Sequence, residues 1–279
     1  MKNILLPTDF SVHSQNAIDY ALKFFKNELC TFFILHVEKA GNYTTDDLMA
    51  APANATVHQS VLKSARKKLF KTVSKLKEEN TDSDFFFKAL IDYDHFTDAI
   101  AQAVTAHKID LIIMGSNGAT GALEVLLGSN TIQVIRNIDC PVLIVPQFFS
   151  YKNIHSVLYA LDYDDAFNAE NTELLTDILY RHKASVKILR VKENEEISIS
   201  EFEEKQAMKK YFQDFIHSFY SITNVPTADA INSFVQILNV DLTVMVIEPE
   251  TFLERFISGS SVSKINYSSL VPLLILHPF

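Results

Sequence analysis

Residues 112–121 read Ile112-Ile113-Met114-Gly115-Ser116-Asn117-Gly118-Ala119-Thr120-Gly121, and the run continues to Gly128-Ser129-Asn130-Thr131. Four of the chain's six glycines lie within these residues. The apolar run Asp110–Met114 before the glycines is typical of a strand that is buried on both faces. The hydroxyl and amide residues after Gly128 favour the start of a helix. A strand, a glycine loop and a helix start together form the geometry in which backbone N–H groups hold a phosphate.

The glycine spacing is distinctive. Gly115 is followed after two residues by Gly118, after nine more by Gly128, and then by the hydroxyl of Ser129. Glycine lets a phosphate contact the backbone because it has no Cβ. The chain contains neither the Gly-Lys-Ser/Thr of a Walker A loop nor a dinucleotide G-x-G-x-x-G. The alternative interpretation is a surface loop that needs glycine only in order to turn.

Length and charge limit the class of protein. The 279 residues, 48% of them hydrophobic, are enough for two ordinary domains or one large one. The formal net charge of −9 argues against DNA, RNA or an anionic membrane as the main partner, since each of these needs a basic surface. We therefore expect a protein that binds neither nucleic acid nor membrane.

The two cysteines, Cys30 and Cys140, are too few for a disulfide framework and lack metal-ligand spacing. Both lie beside apolar strands, which predicts buried free thiols in a reducing cytoplasm. The N-terminal residues Met1–Asp9 become polar too early for a signal peptide, and no apolar run approaches the ~18 residues that a membrane span requires. The expected location is cytoplasmic.

Strand and helix patterns alternate along the chain. Short apolar runs near Asn3–Leu6 and Thr31–Val37 are followed by segments with helical spacing, and the alternation continues to the fifth run, Pro141–Pro146. Such alternation predicts an α/β fold in which helices cover both faces of a parallel sheet. Ser11 is expected to cap the first helix.

The pattern then repeats. Ile4–Asp9 matches Val157–Asp162, which lies 153 positions later, whereas Asp110-Leu111 matches Asp241-Leu242, 131 positions later. Gly128-Ser129 likewise recurs as Gly259-Ser260. We therefore predict two tandem five-stranded domains, residues 1–147 and residues 153–279. The change of offset indicates a deletion between the first strand and the third-strand helix of the second domain.

The second copy has lost part of the glycine motif. Gly115 corresponds to Val246 and Gly118 to Pro249, although Gly259-Ser260 remains. Valine disfavours positive φ and its Cβ fills the space of a phosphate, while proline lacks the N–H donor. The first domain is thus expected to bind a ligand, and the second to bind weakly or not at all. A different, non-phosphate site at Glu248-Pro249-Glu250 is the alternative.

On these motifs the chain resembles the universal stress protein family, and it looks like a tandem member over nearly its whole length. The resemblance implies two domains with strand order 3-2-1-4-5, paired through their fifth strands as a pseudo-dimer within one chain. Further homo-dimerisation is compatible with it. The first and fourth strands would then be neighbours at the topological switch point, where ligands bind.

The resemblance also assigns residues to an adenine-nucleotide site. It implies that Pro7-Thr8-Asp9 and Val37 contact the nucleoside and that Met114 and Gly115 form the floor. Asn117 and Gly118 would approach the ribose and phosphate, and Gly128-Ser129-Asn130-Thr131 would hold the phosphate tail. For Asp9 a turn or cap remains the alternative, and for Val37 core packing.

The chemistry favours binding over catalysis. No Lys or Arg lies between Ile109 and Ile135, so bound Mg²⁺ is the candidate positive charge, and no catalytic residue or protein metal site is predicted. The leading hypothesis is a nucleotide-binding regulator, with ATP favoured over other adenine nucleotides. A slow ATPase or a self-phosphorylating enzyme with Ser129 as acceptor is the second hypothesis, and a nucleotide-free interaction module is the third.

Overall fold

A computed structural model describes residues 1–38, 57–116, 128–162, 166–192, 199–247 and 271–278, excluding the side chains of 57–62 and 199–200. Its strands are β1 (Lys2–Pro7), β2 (Cys30–Val37), β3 (Phe85–Asp92), β4 (Leu111–Gly115), β5 (Val142–Val145), β6 (Ser156–Leu161), β7 (Ser185–Lys192), β8 (His217–Thr223), β9 (Leu242–Val246) and β10 (Leu273–Leu276). Its α-helices are α1 (Val12–Phe24), α2 (Val57–Glu79), α3 (Phe96–His107), α4 (Ser129–Asn137), α5 (Glu173–His182), α6 (Ile199–Tyr211) and α7 (Thr227–Ile237).

The strands form one sheet with the order β3-β2-β1-β4-β5-β10-β9-β6-β7-β8. Each half of this sheet has the predicted order 3-2-1-4-5, and all pairings within a half are parallel. The predicted α/β fold class is confirmed. None of the helices in the described part of the chain is long and apolar enough to cross a membrane.

Side-chain alternation along the strands explains the two covered faces. In β1, Ile4 and Leu6 belong to a cluster with Tyr20 and Phe24 of α1, whereas Leu5 belongs to a cluster with Ile100 of α3. Successive strand residues point to opposite faces, so a continuous apolar run is buried only if both faces carry helices. Each cluster includes residues of both halves, so the two halves share one hydrophobic core on each face.

The strand register confirms the sequence repeat. Ile4 pairs with Leu111 in the first half, and Val157 pairs with Leu242 in the second. These two pairs are related by the offsets of 153 and 131 that the sequence predicts. The equivalent residues of the two halves can therefore be compared one by one.

The halves meet through β5 and β10, the only antiparallel pair among the described strands. Leu143 lies opposite Leu274, with Ile144 opposite Leu273 and Val142 opposite Ile275. This is the intrachain pseudo-dimer expected from the resemblance. Beyond the strands, the buried ring of His277 places Nε2 2.9 Å from the Ile135 carbonyl oxygen near the end of α4.

A cation on α5 adds a further contact between the halves. The guanidinium of Arg181 lies over the rings of Phe24 and Phe25, 5.3 and 5.2 Å from their centroids. Its nitrogens lie 3.4 Å from the Glu28 carboxylate and 3.2 Å from that of Asp177. Cation–π attraction and these carboxylates compensate a charge whose side chain is only 13% exposed.

Both cysteines are buried and free, as predicted. Burial raises the pKa of the Cys30 thiol to about 11 and that of the Cys140 thiol to about 12. Because the thiolate is the reactive form, neither cysteine has the properties of a nucleophile.

We predict that Arg181→Ala lowers the free energy of unfolding by about 2 kcal/mol, because it removes two ring contacts and leaves the Glu28 carboxylate without its cation. Urea unfolding followed by circular dichroism measures this loss. Lys26→Ala, which removes an exposed cation of the first half, is the control and should change stability by less than about 0.5 kcal/mol. Equal losses in both variants would contradict the role of Arg181.

Candidate nucleotide site

The carboxyl ends of β1 and β4 lie side by side. Ile4 pairs with Leu111 and Leu5 with Ile112, so the segments that follow, Pro7–Asp9 and Met114–Ser116, reach the same edge of the sheet. On either side, β2 flanks β1 and β5 flanks β4. The connections from β1 and β4 therefore leave in opposite directions, which opens a crevice at the switch point of an α/β sheet.

The turn after β1 is held by hydroxyl groups. Thr8 is buried, and its Oγ1 lies 3.0 Å from Ser14 Oγ and accepts a 3.0 Å hydrogen bond from the Phe10 N–H. Ser11 is the N-cap of α1 and accepts a hydrogen bond from the Ser14 N–H, as the sequence predicts. These bonds fix the direction in which the chain leaves β1.

Asp9 is exposed at the crevice, and its Oδ1 accepts a 3.0 Å hydrogen bond from the Ser11 N–H. Burial raises the pKa of the Asp9 carboxyl, but hydrogen bonds from Ser11 and Ser14 outweigh burial and lower the pKa below its usual value. The carboxylate is therefore ionised at neutral pH and supports the turn. This is the capping role left open by the sequence, and it is compatible with a ligand contact.

His36, at the end of β2, connects the tips of β1 and β2. Its Nδ1 lies 2.8 Å from the Thr8 carbonyl oxygen and its Nε2 lies 3.1 Å from the Glu38 carboxylate. The next residue, Val37, is half-buried against the core on the α3 side of the sheet. No sequence motif predicts this role of His36. Its position at the end of an apolar strand, one residue before Val37, was the available signal.

Phe10 has an unusual backbone conformation beside Asp9. Its φ angle is 62°, in the left-handed region that bulky residues avoid. The ring packs 4.4 Å from the His36 ring, and Lys68 Nζ lies 4.4 Å from the Phe10 ring centroid. Packing on both sides thus maintains a strained residue next to the crevice, and such strain is concentrated at functional sites.

The end of β4 is bonded to the start of α4. Met114 and Ser116 are buried, and the Gly128 N–H donates a 2.6 Å hydrogen bond to the Ser116 carbonyl oxygen. Thr131 is also buried, and its Oγ1 donates to the Gly115 carbonyl oxygen at 3.3 Å. Ser116 and Gly128, at the two ends of the glycine loop, are therefore in contact, and the Thr131 hydroxyl satisfies a carbonyl oxygen at the end of β4.

The expected cap of α4 requires a correction. The hydroxyl and amide side chains of Ser129–Thr131 predict an N-cap among these residues, but the N-cap is Gly128 and Ser129 is the first helical residue. Gly128 is extended, with φ −62° and ψ 153°, and has no side chain that could bind the first turn. Ser129 and Asn130 are exposed there. The positive end of the helix dipole thus faces the crevice without a side-chain cap.

The structure accordingly brings most of the predicted residues together. Pro7, Thr8 and Asp9 lie next to Met114 and Gly115, with Val37 on the neighbouring strand and Gly128–Thr131 bonded to the tip of β4. Asn117 and Gly118 lie outside the described residues.

At the corresponding edge of the second half, side chains bond to the strand tip, although a cavity of about 440 Å³ lined by Asp162 and Thr227 remains there. Asp162, the counterpart of Asp9, is only 2% exposed, and its Oδ1 accepts a 2.8 Å hydrogen bond from Thr227 Oγ1. Arg190, which corresponds to His36 in the strand register, donates to the Asp162 carbonyl oxygen at 2.7 Å. Val246 ends β9 where Gly115 ends β4. Pro249 and Gly259-Ser260 lie outside the described residues.

Comparisons with known proteins agree with this geometry. Two universal stress proteins of Methanocaldococcus jannaschii are 31% and 30% identical over 156 and 146 residues, which cover 52% of this chain and 94% and 81% of those proteins. A solved universal stress protein of Archaeoglobus fulgidus matches 98% of this chain and 95% of its own, with a TM-score of 0.70 and 19% identity. The second comparison shows that the whole two-half fold is shared.

The family model described as "Universal stress protein family" matches residues 1–146, which include every residue of the candidate site. The strand order, the crevice between β1 and β4 and this match lead to one conclusion: the chain belongs to the universal stress protein family.

Proposed function

We propose that the first half binds an adenine nucleotide, with ATP favoured, and that this stress-response protein acts as a cytoplasmic regulator. The observation that carries the proposal is the placement of Gly115 at the tip of β4, beside both the Pro7–Asp9 turn and the uncapped start of α4. The resemblance to ATP-binding family members with this glycine spacing selects the ligand.

The start of α4 suits the phosphates. Backbone N–H groups of the first helical turn and the positive end of the helix dipole attract an anion, and Ser129 and Asn130 are exposed for contact. Gly115 and Gly128 add no Cβ to this surface. Because no Lys or Arg lies between Ile109 and Ile135, Mg²⁺ bound with the nucleotide would supply the balancing charge.

The turn after β1 suits the nucleoside. The ionised Asp9 carboxylate is an acceptor for ribose hydroxyl or adenine N–H donors, and its position is fixed by Ser11. Val37 on the neighbouring strand offers an apolar contact to the base. Asp9 and Ser129 would then mark the two ends of one ligand.

The proposal assigns the two halves different roles, with residues 1–147 as the nucleotide domain and 153–279 as its degenerate copy. Three features of the second half support this: the buried Asp162–Thr227 pair, the Arg190 contact and Val246 in place of Gly115. In the first half, ligand contact with the segment between Ser116 and Gly128 would alter a surface that a partner protein reads.

We predict one ATP per chain and a large loss of affinity in Gly115→Val, because the new side chain occupies phosphate space. Isothermal titration with ATP and Mg²⁺ should show a dissociation constant raised by at least about tenfold. Val246→Gly, the reverse change at the equivalent position, should keep the wild-type affinity of the first half. Unchanged binding in Gly115→Val would reject the site, and no binding in the wild type would favour the interaction module.

We predict that Thr131→Val lowers the free energy of unfolding by about 1 kcal/mol, because the Gly115 carbonyl oxygen loses its hydroxyl donor. The displaced strand tip should also weaken ATP binding by roughly threefold to tenfold. Thermal unfolding and titration measure the two effects. Thr105→Val, the same change at an exposed position of α3, is the control, and identical behaviour of the two variants would exclude this role of Thr131.

We predict no phosphoryl transfer, because no Lys or Arg lies between Ile109 and Ile135 to stabilise the charge that develops on a γ-phosphate. Incubation with γ-labelled ATP and Mg²⁺ over hours should release no phosphate and label no protein. Label that disappears in Ser129→Ala would instead establish the self-phosphorylating enzyme. Phosphate release that disappears in Gly115→Val would establish the slow ATPase.

A further inference from the structure

The strand β8 ends the sheet in the second half, and no other strand of the described residues covers its outer edge. Among the described strands it pairs with β7 alone, in seven consecutive parallel pairs without a bulge. Its sequence, His217-Ser218-Phe219-Tyr220-Ser221-Ile222-Thr223, contains no Lys, Arg, Asp, Glu, Pro or Gly. Natural proteins usually protect such edges with charge, proline or bulges, and the opposite edge strand β3 carries an exposed Lys88 at its centre.

The backbone of β8 offers a defined set of groups at this edge. The Val186 N–H donates to the Ile216 carbonyl oxygen, and the Asn224 N–H donates to the Lys192 carbonyl oxygen. The even-numbered residues therefore bond to β7. In a regular parallel strand the alternate residues Phe219, Ser221 and Thr223 then direct N–H and C=O groups to the outer edge.

A groove runs beside these edge groups, between α6 and the face of β7 and β8. It has a volume of about 470 Å³, with Ile188, Met208 and Phe219 as apolar lining. Phe202 of α6 lines it as well and is 58% exposed. A strand added next to β8 would lie about 4.8 Å away and direct alternate side chains to the α6 side of the sheet.

The charges of the groove favour an acidic occupant. Arg190 is paired with Glu204, and Lys192 lies 2.9 Å from the Glu201 carboxylate. Lys205 Nζ lies 5.6 Å from the Phe219 ring centroid. Within the described part of the chain, no carboxylate forms an ion pair with Lys205 or Lys209, so the groove has two cations without a carboxylate partner in a protein of net charge −9.

The attachment of α6 leaves room for an occupant. Met208 is the one fully buried side chain among residues 201–211 of this helix, and the ion pairs to Arg190 and Lys192 connect the helix to β7. With one fully buried side chain, this part of the helix buries little apolar area, so the two partly buried ion pairs supply much of its attachment.

We propose that β8 and α6 form a docking site for an acidic peptide segment of a partner protein, bound in extended conformation as an additional strand. Its backbone bonds to the outer edge of β8 at Phe219, Ser221 and Thr223. Alternate carboxylate side chains meet Lys205 and Lys209, and β-branched side chains between them satisfy the strand conformation. This site lies at the outer edge of the second half, whereas the nucleotide crevice lies in the first half. It functions independently of the crevice.

The test is selection of a displayed random heptapeptide library on the full-length protein. The expected result is enrichment of peptides rich in Asp, Glu and β-branched residues. Fluorescein-labelled copies of the enriched peptides then give affinities by fluorescence anisotropy. The proposal would be overturned if no peptide is enriched on the wild type relative to a parallel selection on the Ser221→Pro variant. Enrichment of basic peptides would also overturn it.

Two variant pairs separate the backbone and charge contributions. Ser221→Pro removes one N–H that points away from β7 and keeps every bond to β7, so it should lower the affinity for the enriched peptides by at least about tenfold. Ser221→Ala keeps this N–H and should leave the affinity unchanged. Lys205→Glu combined with Lys209→Glu should weaken them similarly, and Lys210→Glu, outside the groove, should not.

Two further measurements keep these outcomes interpretable. Thermal unfolding shows whether each variant is folded, and the exposed lysine variants provide the test if proline destabilises β8. Sedimentation of the wild type at high concentration examines the other occupant. A dimer that dissociates in Ser221→Pro would show that a second copy of the chain takes the edge, which would overturn the proposed partner.

Discussion

The parallel pairing of β1 with β4 is the constraint on which the architecture of the candidate site depends. Because β2 lies beyond β1 and β5 beyond β4, the chain must leave the two adjacent strand tips in opposite directions. This separation creates the crevice before any side chain is considered. The hydrogen bonds of Thr8, Ser11, Ser116 and Thr131 then fix the two tips at its sides. The position of the candidate site is thus a consequence of topology first and of local side chains second.

Much of this organisation could be predicted from the sequence because it depends on periodicity and repetition. Alternating apolar runs indicate buried parallel strands, and two constant offsets identify equivalent strands, whose register the structure confirms. The contact of His36 with Thr8 could not be predicted, because it joins residues 28 positions apart through a side-chain rotamer. Gly128 replaced Ser129 as the cap because backbone conformation, not residue preference, sets where a helix begins. The position of the Arg181 guanidinium over the rings of Phe24 and Phe25 depends on how the halves pack together, which local sequence patterns do not encode.

The two halves have the same fold, but the side chains at the carboxyl ends of their strands are bonded differently. Asp9 is exposed and its carboxylate accepts a backbone hydrogen bond, whereas Asp162 is buried and bonded to Thr227. A buried carboxylate needs such partners, since burial without them is costly. Thr227 satisfies this carboxylate, and Arg190 bonds to the carbonyl oxygen of the same residue. Asp162 therefore contributes to packing, whereas its counterpart Asp9 stays exposed. Val246, at the position equivalent to Gly115, likewise adds a side chain where the first half has none.

The antiparallel junction of β5 and β10 has a consequence for how these differences could arise. In a dimer of identical chains, every substitution appears twice and symmetry requires both copies to change together. Here the two sides of the junction belong to one polypeptide, so either side can diverge while the other is retained. Their association is also intramolecular, with an effective concentration set by the short connection from Val145 to Ser156 rather than by expression level. A covalent junction of this kind therefore permits permanent asymmetry in an assembly whose strand pairing is symmetrical.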